Sequence, residues 1–130
     1  FDAVFGTRTT SIMIGEGANM GLFIKWGNWA VAKMVEILFG TCQLTDVGCT
    51  YRLIKREAYE KIRPYFKVYG DEFNMDMMLR IMRSKIKFIE VPINYKKRVG
   101  ISSVTGKKYK AIIVGFKMIA LIFLHRLKLM

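Results

Sequence analysis

"GDEFNMDMMLRIMRSKIKFIEVPINY", residues 70–95, changes its hydrophobic period halfway, and that change decides the fold class. From Asp71 to Arg83 the residues are helix formers, and Asp71 stands where an N-cap is expected. From Lys85 to Tyr95 β-branched and aromatic residues take over, with Pro92 near the end, which reads as a strand. A helix that feeds directly into a strand argues for an α/β layout over a bundle.

The flanking segments extend that pattern. "FDAVF" (1–5) is short and apolar and reads as a buried strand, and "GTRTTSIMIGEGANM" (6–20) reads as a loop. In "GLFIKWGNWAVAKMVEILFG" (21–40) Phe23, Trp26, Ala30, Val31, Met34, Ile37 and Leu38 keep helical spacing, and Gly40 stops the helix. Gly27 inside it costs roughly 1 kcal/mol relative to Ala, so a close packing contact is expected there. "QLTDVGCTYRLIKREAYEKI" (43–62) reads as a polar loop, a strand near Cys49–Ile54 and a short helix ended by Pro64. The segment 108–130 closes the chain as a helix. The resulting order is β, α, β, α, α, β, α, without internal repeats.

The 130 residues suffice for one domain with a real core, and 52% hydrophobic content argues against disorder. Lys and Arg number 22 against 10 Asp and Glu, and the net +12 points to anionic partners. Nucleic acid is not the expected one: no RNA-binding or zinc motif is present, and Trp26 and Trp29 fall among apolar helix positions, where they belong in a core. Cys42 and Cys49 lack metal-ligand spacing and are expected to be reduced, in a cytoplasmic setting. His125 is the single histidine, which argues against a His-based metal or triad site. The chain opens on Phe1 without Met or a signal peptide, so residue 1 is expected to lie within a larger protein.

The last helix admits three readings. Ala111 to Leu124 is apolar except for Lys117, too short for the about 20 residues that span a bilayer. Lys107, Lys108 and Lys110 flank one end and Arg126 and Lys128 the other, which suits an amphipathic helix lying in an anionic membrane interface. A buried core helix with charged ends, or a segment just before a true span, fits the same residues.

Candidate chemistry lies in the loops. Asp46, in "LTDVGCTYRL", has small neighbours that let a substrate approach; it is either a general base or a turn aspartate. Asp71, Glu72 and Asp76 crowd one stretch; the first two read as first-turn acids, while Asp76 stays open as a catalytic carboxylate. Arg8, Lys25 and Arg98 are candidate phosphate ligands, and Ser102 and Ser103 in "RVGISS" could add hydroxyls.

Taken in order, "GTR" (6–8), "GLFIKWGNW" (21–29), "TDVGCTYRLIKREAYEKI" (45–62), "FNMDMMLR" (73–80) and "KFIEVPINYKKRVGISS" (87–103) resemble the C-terminal half of a family 2 glycosyltransferase, in the dolichol-phosphate mannosyltransferase-like branch. The resemblance implies an α/β fold, the acceptor-side half of a Rossmann-like GT-A domain over residues 1–106, with an amphipathic juxtamembrane helix over 107–130. It implies transfer of a sugar from a nucleotide-sugar donor to a lipid-phosphate acceptor of the polyprenyl class, at the cytoplasmic face of the membrane, in glycan or cell-envelope biosynthesis. By the resemblance Asp46 is the aspartate near the acceptor, as base or orienting group, and Asp76 takes the place of an acid usually written as Glu. Arg8, Lys25, Arg98, Ser102 and Ser103 become contacts to phosphate or acceptor.

The family's D-x-D motif, which holds Mg or Mn and the nucleotide, does not occur in this chain. The main metal ligands are therefore expected elsewhere, and this segment alone is expected to be inactive. Thr50 stands where many relatives have Gly, and Lys25 where relatives carry Arg. A non-catalytic basic membrane-surface module is the alternative.

Overall fold

The computed structural model describes residues 1–8, 22–41, 43–94, 96, 99–100 and 108–129. Its elements are β1 (Ala3–Thr7), α1 (Leu22–Phe39), β2 (Arg52–Ile54), α2 (Arg56–Ile62), α3 (Phe73–Arg83), β3 (Phe88–Pro92) and α4 (Lys108–Arg126). Single 3-10 turns occupy Arg63–Tyr65 and Gly70–Glu72. The order is the one read from the sequence. Gly40 closes α1 at φ +59°, a left-handed conformation that glycine adopts without a Cβ clash. Pro64 lies in the 3-10 turn that ends α2.

The fold is mixed α/β. The three strands run in the order β2-β1-β3, with β1 antiparallel to β2 and parallel to β3. Ala3 is opposite Ile54 and Phe88, and Phe5 is opposite Arg52 and Glu90. Strand side chains alternate between faces, so Ala3, Phe5, Thr7, Phe88, Glu90 and Arg52 share one face of the sheet. Its apolar members enter the core, where the rings of Phe5 and Phe88 stack at 4.9 Å. Thr7, Glu90 and Arg52 are left to hold a polar loop. The other face carries Val4, Leu53 and Ile89 side by side, with Leu53 63% exposed.

All four helices contribute to the core. Ala32 and Val35 come from α1, Ala58 and Ile62 from α2, and Leu121 and Ile122 from α4, joined by Leu44 and Val47 from the loop before β2. α3 is the most enclosed element, burying every residue from Met78 to Met82. The C-terminal part of α4 is docked through Leu121 and Ile122, while Ile112, Ile113 and Phe116 nearer its start are exposed. Among the described residues no helix is long and apolar enough to cross a membrane.

Local expectations from the sequence fail at three places. Trp26 is 63% and Trp29 42% exposed, and they meet each other edge-on at 5.8 Å instead of entering the core. Of the expected α1 stripe, Val31, Met34 and Leu38 do pack against the core, beside the fully buried Ala32 and Val35. Gly27 is exposed, and a Cβ there would meet nothing within 4 Å among the described residues, so no close contact explains it. Asp71 is not an N-cap: it lies exposed in the 3-10 turn, and α3 begins after Glu72 without a side-chain cap. β2 is also shorter than expected, because residues 49–51 stay irregular.

Candidate functional site

The loop "TDVGC" (45–49) lies between α1 and β2 and is held from several sides. Glu36 of α1 accepts the Leu44 amide at 3.2 Å and the Lys33 ammonium at 2.7 Å; the lysine holds its carboxyl below the usual range. Glu90 of β3 then takes three donors at the start of the loop. Its Oε1 accepts the amides of Thr45 and Asp46 at 2.9 and 3.0 Å, and its Oε2 accepts the Thr45 hydroxyl at 2.7 Å. Thr45 Oγ1 also lies 2.8 Å from Thr7 Oγ1 on β1.

The carbonyl side of the loop belongs to Arg52. Its Nε donates to Cys49 O at 3.1 Å, its Nη2 to Val47 O at 3.2 Å, and its Nη1 to Asn74 O at 2.6 Å. Asn74 Nδ2 adds a second donor to Cys49 O at 3.2 Å. The guanidinium sits 4.8 Å over the Phe5 ring, and burial pushes its pKa down to about 10. The same burial raises the Cys49 thiol, which is free and enclosed. Backbone donors and acceptors that a loop normally gives to water are thus taken by side chains.

Asp46 sits inside this frame with its side chain wholly buried. Its Oδ2 accepts the Arg8 amide at 3.0 Å and Arg8 Nε at 2.9 Å. Its Oδ1 accepts Arg8 Nη2 at 3.1 Å and the Gly48 amide at 3.0 Å. Four donors occupy the four acceptor positions of a carboxylate. That arrangement fixes the Arg8 fork bidentately and leaves no lone pair for a substrate proton. Asp46 is thereby placed to orient the Arg8 guanidinium.

Gly48 closes the cradle. A Cβ there would lie 2.9 Å from Asn28 Oδ1 and 3.0 Å from Arg8 Nη2, so α1, the end of β1 and the loop converge on this one position. Lys25 lies one turn before Asn28 on α1, the spacing that puts both on one helix face. The structure thus brings together Arg8, Asp46 and Gly48, with Lys25 on the adjoining helix. Arg98, Ser102 and Ser103 lie outside the described residues.

Asp76 is elsewhere in kind. It is fully buried in α3, with Oδ2 accepting Arg80 Nε at 2.9 Å and Oδ1 accepting His125 Nε2 at 2.7 Å. Arg83 Nη1 donates to the other ring nitrogen at 3.3 Å, which sets the tautomer, and burial holds the His125 pKa below its ordinary value. The pairing ties α3 to α4 and encloses the carboxylate between partners. Glu72, one turn earlier, points to Lys117 of α4 at 3.0 Å. Among the described residues no three His, Cys, Asp or Glu side chains gather into a metal site.

Sequence reasoning had not singled out Glu90, Arg52, Asn28 or Thr45. For Glu90 one signal was available: an acid on the core-facing parity of a strand, two residues after a buried Phe.

A mixed α/β domain whose polar loop is pinned around a buried Asp–Arg pair is what fold and site define. Over 81 residues, 62% of its length, the chain is 30% identical to the dolichyl-phosphate beta-glucosyltransferase of Saccharomyces cerevisiae. The match covers 22% of that protein, so the chain spans about a fifth of the relative's length. This similarity supports a distant relation to a glycosyltransferase. No family model matches the chain, and no solved structure matches it.

Proposed function

We propose that this chain is the acceptor-side portion of a family 2 glycosyltransferase that moves a sugar from a nucleoside-diphosphate sugar to a polyprenyl phosphate at the cytoplasmic membrane face. The observation that carries the reading is the Arg8–Asp46 pair, fixed beside Gly48 in a chain similar to an enzyme named for dolichyl phosphate. A phosphate acceptor is largely ionised near neutrality, its second pKa being about 6. Its oxygen attacks the anomeric carbon, the bond to the nucleoside diphosphate breaks, and no proton has to be removed. Such chemistry needs charge neutralisation and aim more than a base. Arg8 supplies the planar fork and Lys25 a further cation, with Arg98, Ser102 and Ser103 assigned to the same phosphate side. Asp46 acts through Arg8 as its positioning residue.

Residues 1–106 are then the acceptor half of a GT-A domain. The outward sheet face with Leu53, Ile89 and Val91 exposed supports a larger parent, since sheets of α/β domains are usually covered on both faces. The divalent metal implied by the resemblance is assigned to ligands outside the described residues, and no step here runs through it. Residues 107–130 are assigned to the membrane surface. Ile112, Ile113 and Phe116, exposed beside Lys108 and Lys110, support that placement and are also what a non-catalytic membrane module would use.

The test is a transfer assay on the full-length gene product, with a radiolabelled nucleotide-sugar and polyprenyl phosphate in detergent. Asp46→Asn and Arg8→Ala should each lower transfer by about 100-fold or more. Full transfer by both variants would remove the site assignment, and no transfer by the native protein to any polyprenyl phosphate would favour the membrane module.

A further inference from the structure

The peptide unit between Val47 and Gly48 is held at both ends by charged side chains. Its carbonyl accepts Arg52 Nη2 at 3.2 Å, and its amide donates to Asp46 Oδ1 at 3.0 Å. The same Oδ1 accepts Arg8 Nη2 at 3.1 Å, while Oδ2 takes Arg8 Nε at 2.9 Å. Arg52 on β2 and Arg8 just past β1 thus stand at the two ends of one hydrogen-bonded line: guanidinium, peptide, carboxylate, guanidinium. A second Arg52 bond, from Nε to Cys49 O at 3.1 Å, grips the loop on the other side of Gly48.

A guanidinium at the carbonyl end of a peptide polarises it, and the amide at the other end becomes a stronger donor. The grip also fixes how the peptide is turned. A peptide unit rotates as one rigid plane, and a glycine on its amide side resists that rotation least. Rotation here would withdraw the Gly48 N–H from Asp46 and turn the Val47 carbonyl toward the carboxylate. The Arg8 fork would then lose its aim, because it is bound to the very oxygen that the Gly48 amide shares. Arg8 keeps 18% of its side chain exposed, so its orientation is felt at the surface that a ligand can reach.

We propose that Arg52 is a positioning residue for Arg8: by holding the Val47 carbonyl it locks the Val47–Gly48 peptide, and through that peptide and Asp46 it aims the Arg8 fork at the acceptor phosphate. The proposal rests on the reading that Arg8 meets that phosphate, and it adds a residue that touches neither substrate.

The experiment measures transfer by the full-length gene product, varying polyprenyl phosphate and nucleotide-sugar in turn. It compares the native protein with Arg52→Lys, Arg52→Gln, Arg8→Ala and the Arg8→Ala/Arg52→Gln double variant. Either Arg52 variant should raise KM for polyprenyl phosphate by about tenfold or more and leave KM for the nucleotide-sugar within about twofold. Added to Arg8→Ala, Arg52→Gln should change the acceptor KM by less than about twofold, because the residue it acts through is gone. A merely structural Arg52 would lower the amount of active protein, and so kcat, with both KM values unchanged. That pattern, or full additivity with Arg8→Ala, overturns the proposal. Arg8→Ala with the native acceptor KM removes the phosphate reading instead, and a second readout then decides the positioning by itself. In the same protein labelled with 15N-arginine and 15N-glycine, Arg52→Lys should shift the Arg8 Nε–Hε and Gly48 amide signals and speed exchange of that amide with solvent. Arg8 and Gly48 signals that stay in place overturn the positioning whatever the ligand.

Discussion

Glu90 on β3 and Thr45, forty-five positions earlier, are joined twice: one carboxylate oxygen takes the Thr45 amide and the other its hydroxyl. With the Asp46 amide on the same Oε1, a single side chain sets the entry of the loop that carries the candidate site. Glu90→Ala leaves two loop amides without partners and is expected to cost about 2–6 kcal/mol, at about 1–3 per unmet donor. Glu90→Gln keeps a carbonyl acceptor and should lose less than half of that. Urea denaturation of the three proteins, compared at equal m-value, checks the order.

Gly48→Ala separates function from folding. Its new Cβ meets the ends of the Arg8 and Asn28 side chains, both of which can shift, so stability should change by less than about 1 kcal/mol. The shift moves the Arg8 fork off its aim, and transfer by the full-length protein should fall by about 10- to 100-fold. Equal transfer by the variant would mean that Arg8 is not at the reacting phosphate.

Stability should fall as the solution is acidified through the histidine range. Burial places the His125 pKa in the folded protein below its ordinary 6.5, so below that pH the unfolded chain binds a proton that the folded one resists. The contribution is therefore full above about pH 7 and is lost progressively as pH drops toward and through the folded pKa. His125→Gln, which can still donate to Asp76, should flatten the slope of unfolding free energy between about pH 7 and 5. A slope unchanged in the variant would assign the effect to other groups.

α4 should respond oppositely along its length. Ile122 is fully buried, and Ile122→Ala is expected to destabilise the fold by about 2–5 kcal/mol. Phe116 is 69% exposed, so Phe116→Ala should leave the melting temperature nearly unchanged but weaken binding to anionic vesicles. Native binding should itself decline as salt is raised, since the helix is flanked by lysines. Vesicle binding that ignores both salt and Phe116 would remove the membrane assignment of residues 107–130.

Element order was legible because it depends on local pattern. The period change around Ser84, the stop at Gly40 and the break at Pro64 are each written within a few residues, and the structure follows all three. Trp26 and Trp29 were misplaced for the complementary reason: helical spacing identifies an apolar face, but the neighbouring elements decide how much of it is covered, and they reach Val31, Ala32, Met34, Val35 and Leu38 while leaving both tryptophans exposed. Asp71 shows the same limit, since a capping residue type is common to helix starts and 3-10 turns.

Arg8 and Asp46 were both visible in the sequence as charged residues beside glycines, and their types already suggested phosphate chemistry. What only the tertiary structure decided is their partnership and its consequence. Thirty-eight residues separate them, and the pairing of β1 with β2 and β3 places Arg8, Glu90 and Arg52 around one loop. That convergence surrounds the Asp46 carboxylate with four donors, from Arg8 and from the Gly48 amide. Residue type is a local property, written in the chain one position at a time. The number of donors around a buried carboxylate depends on contacts between distant segments, and those exist only once the sheet has formed.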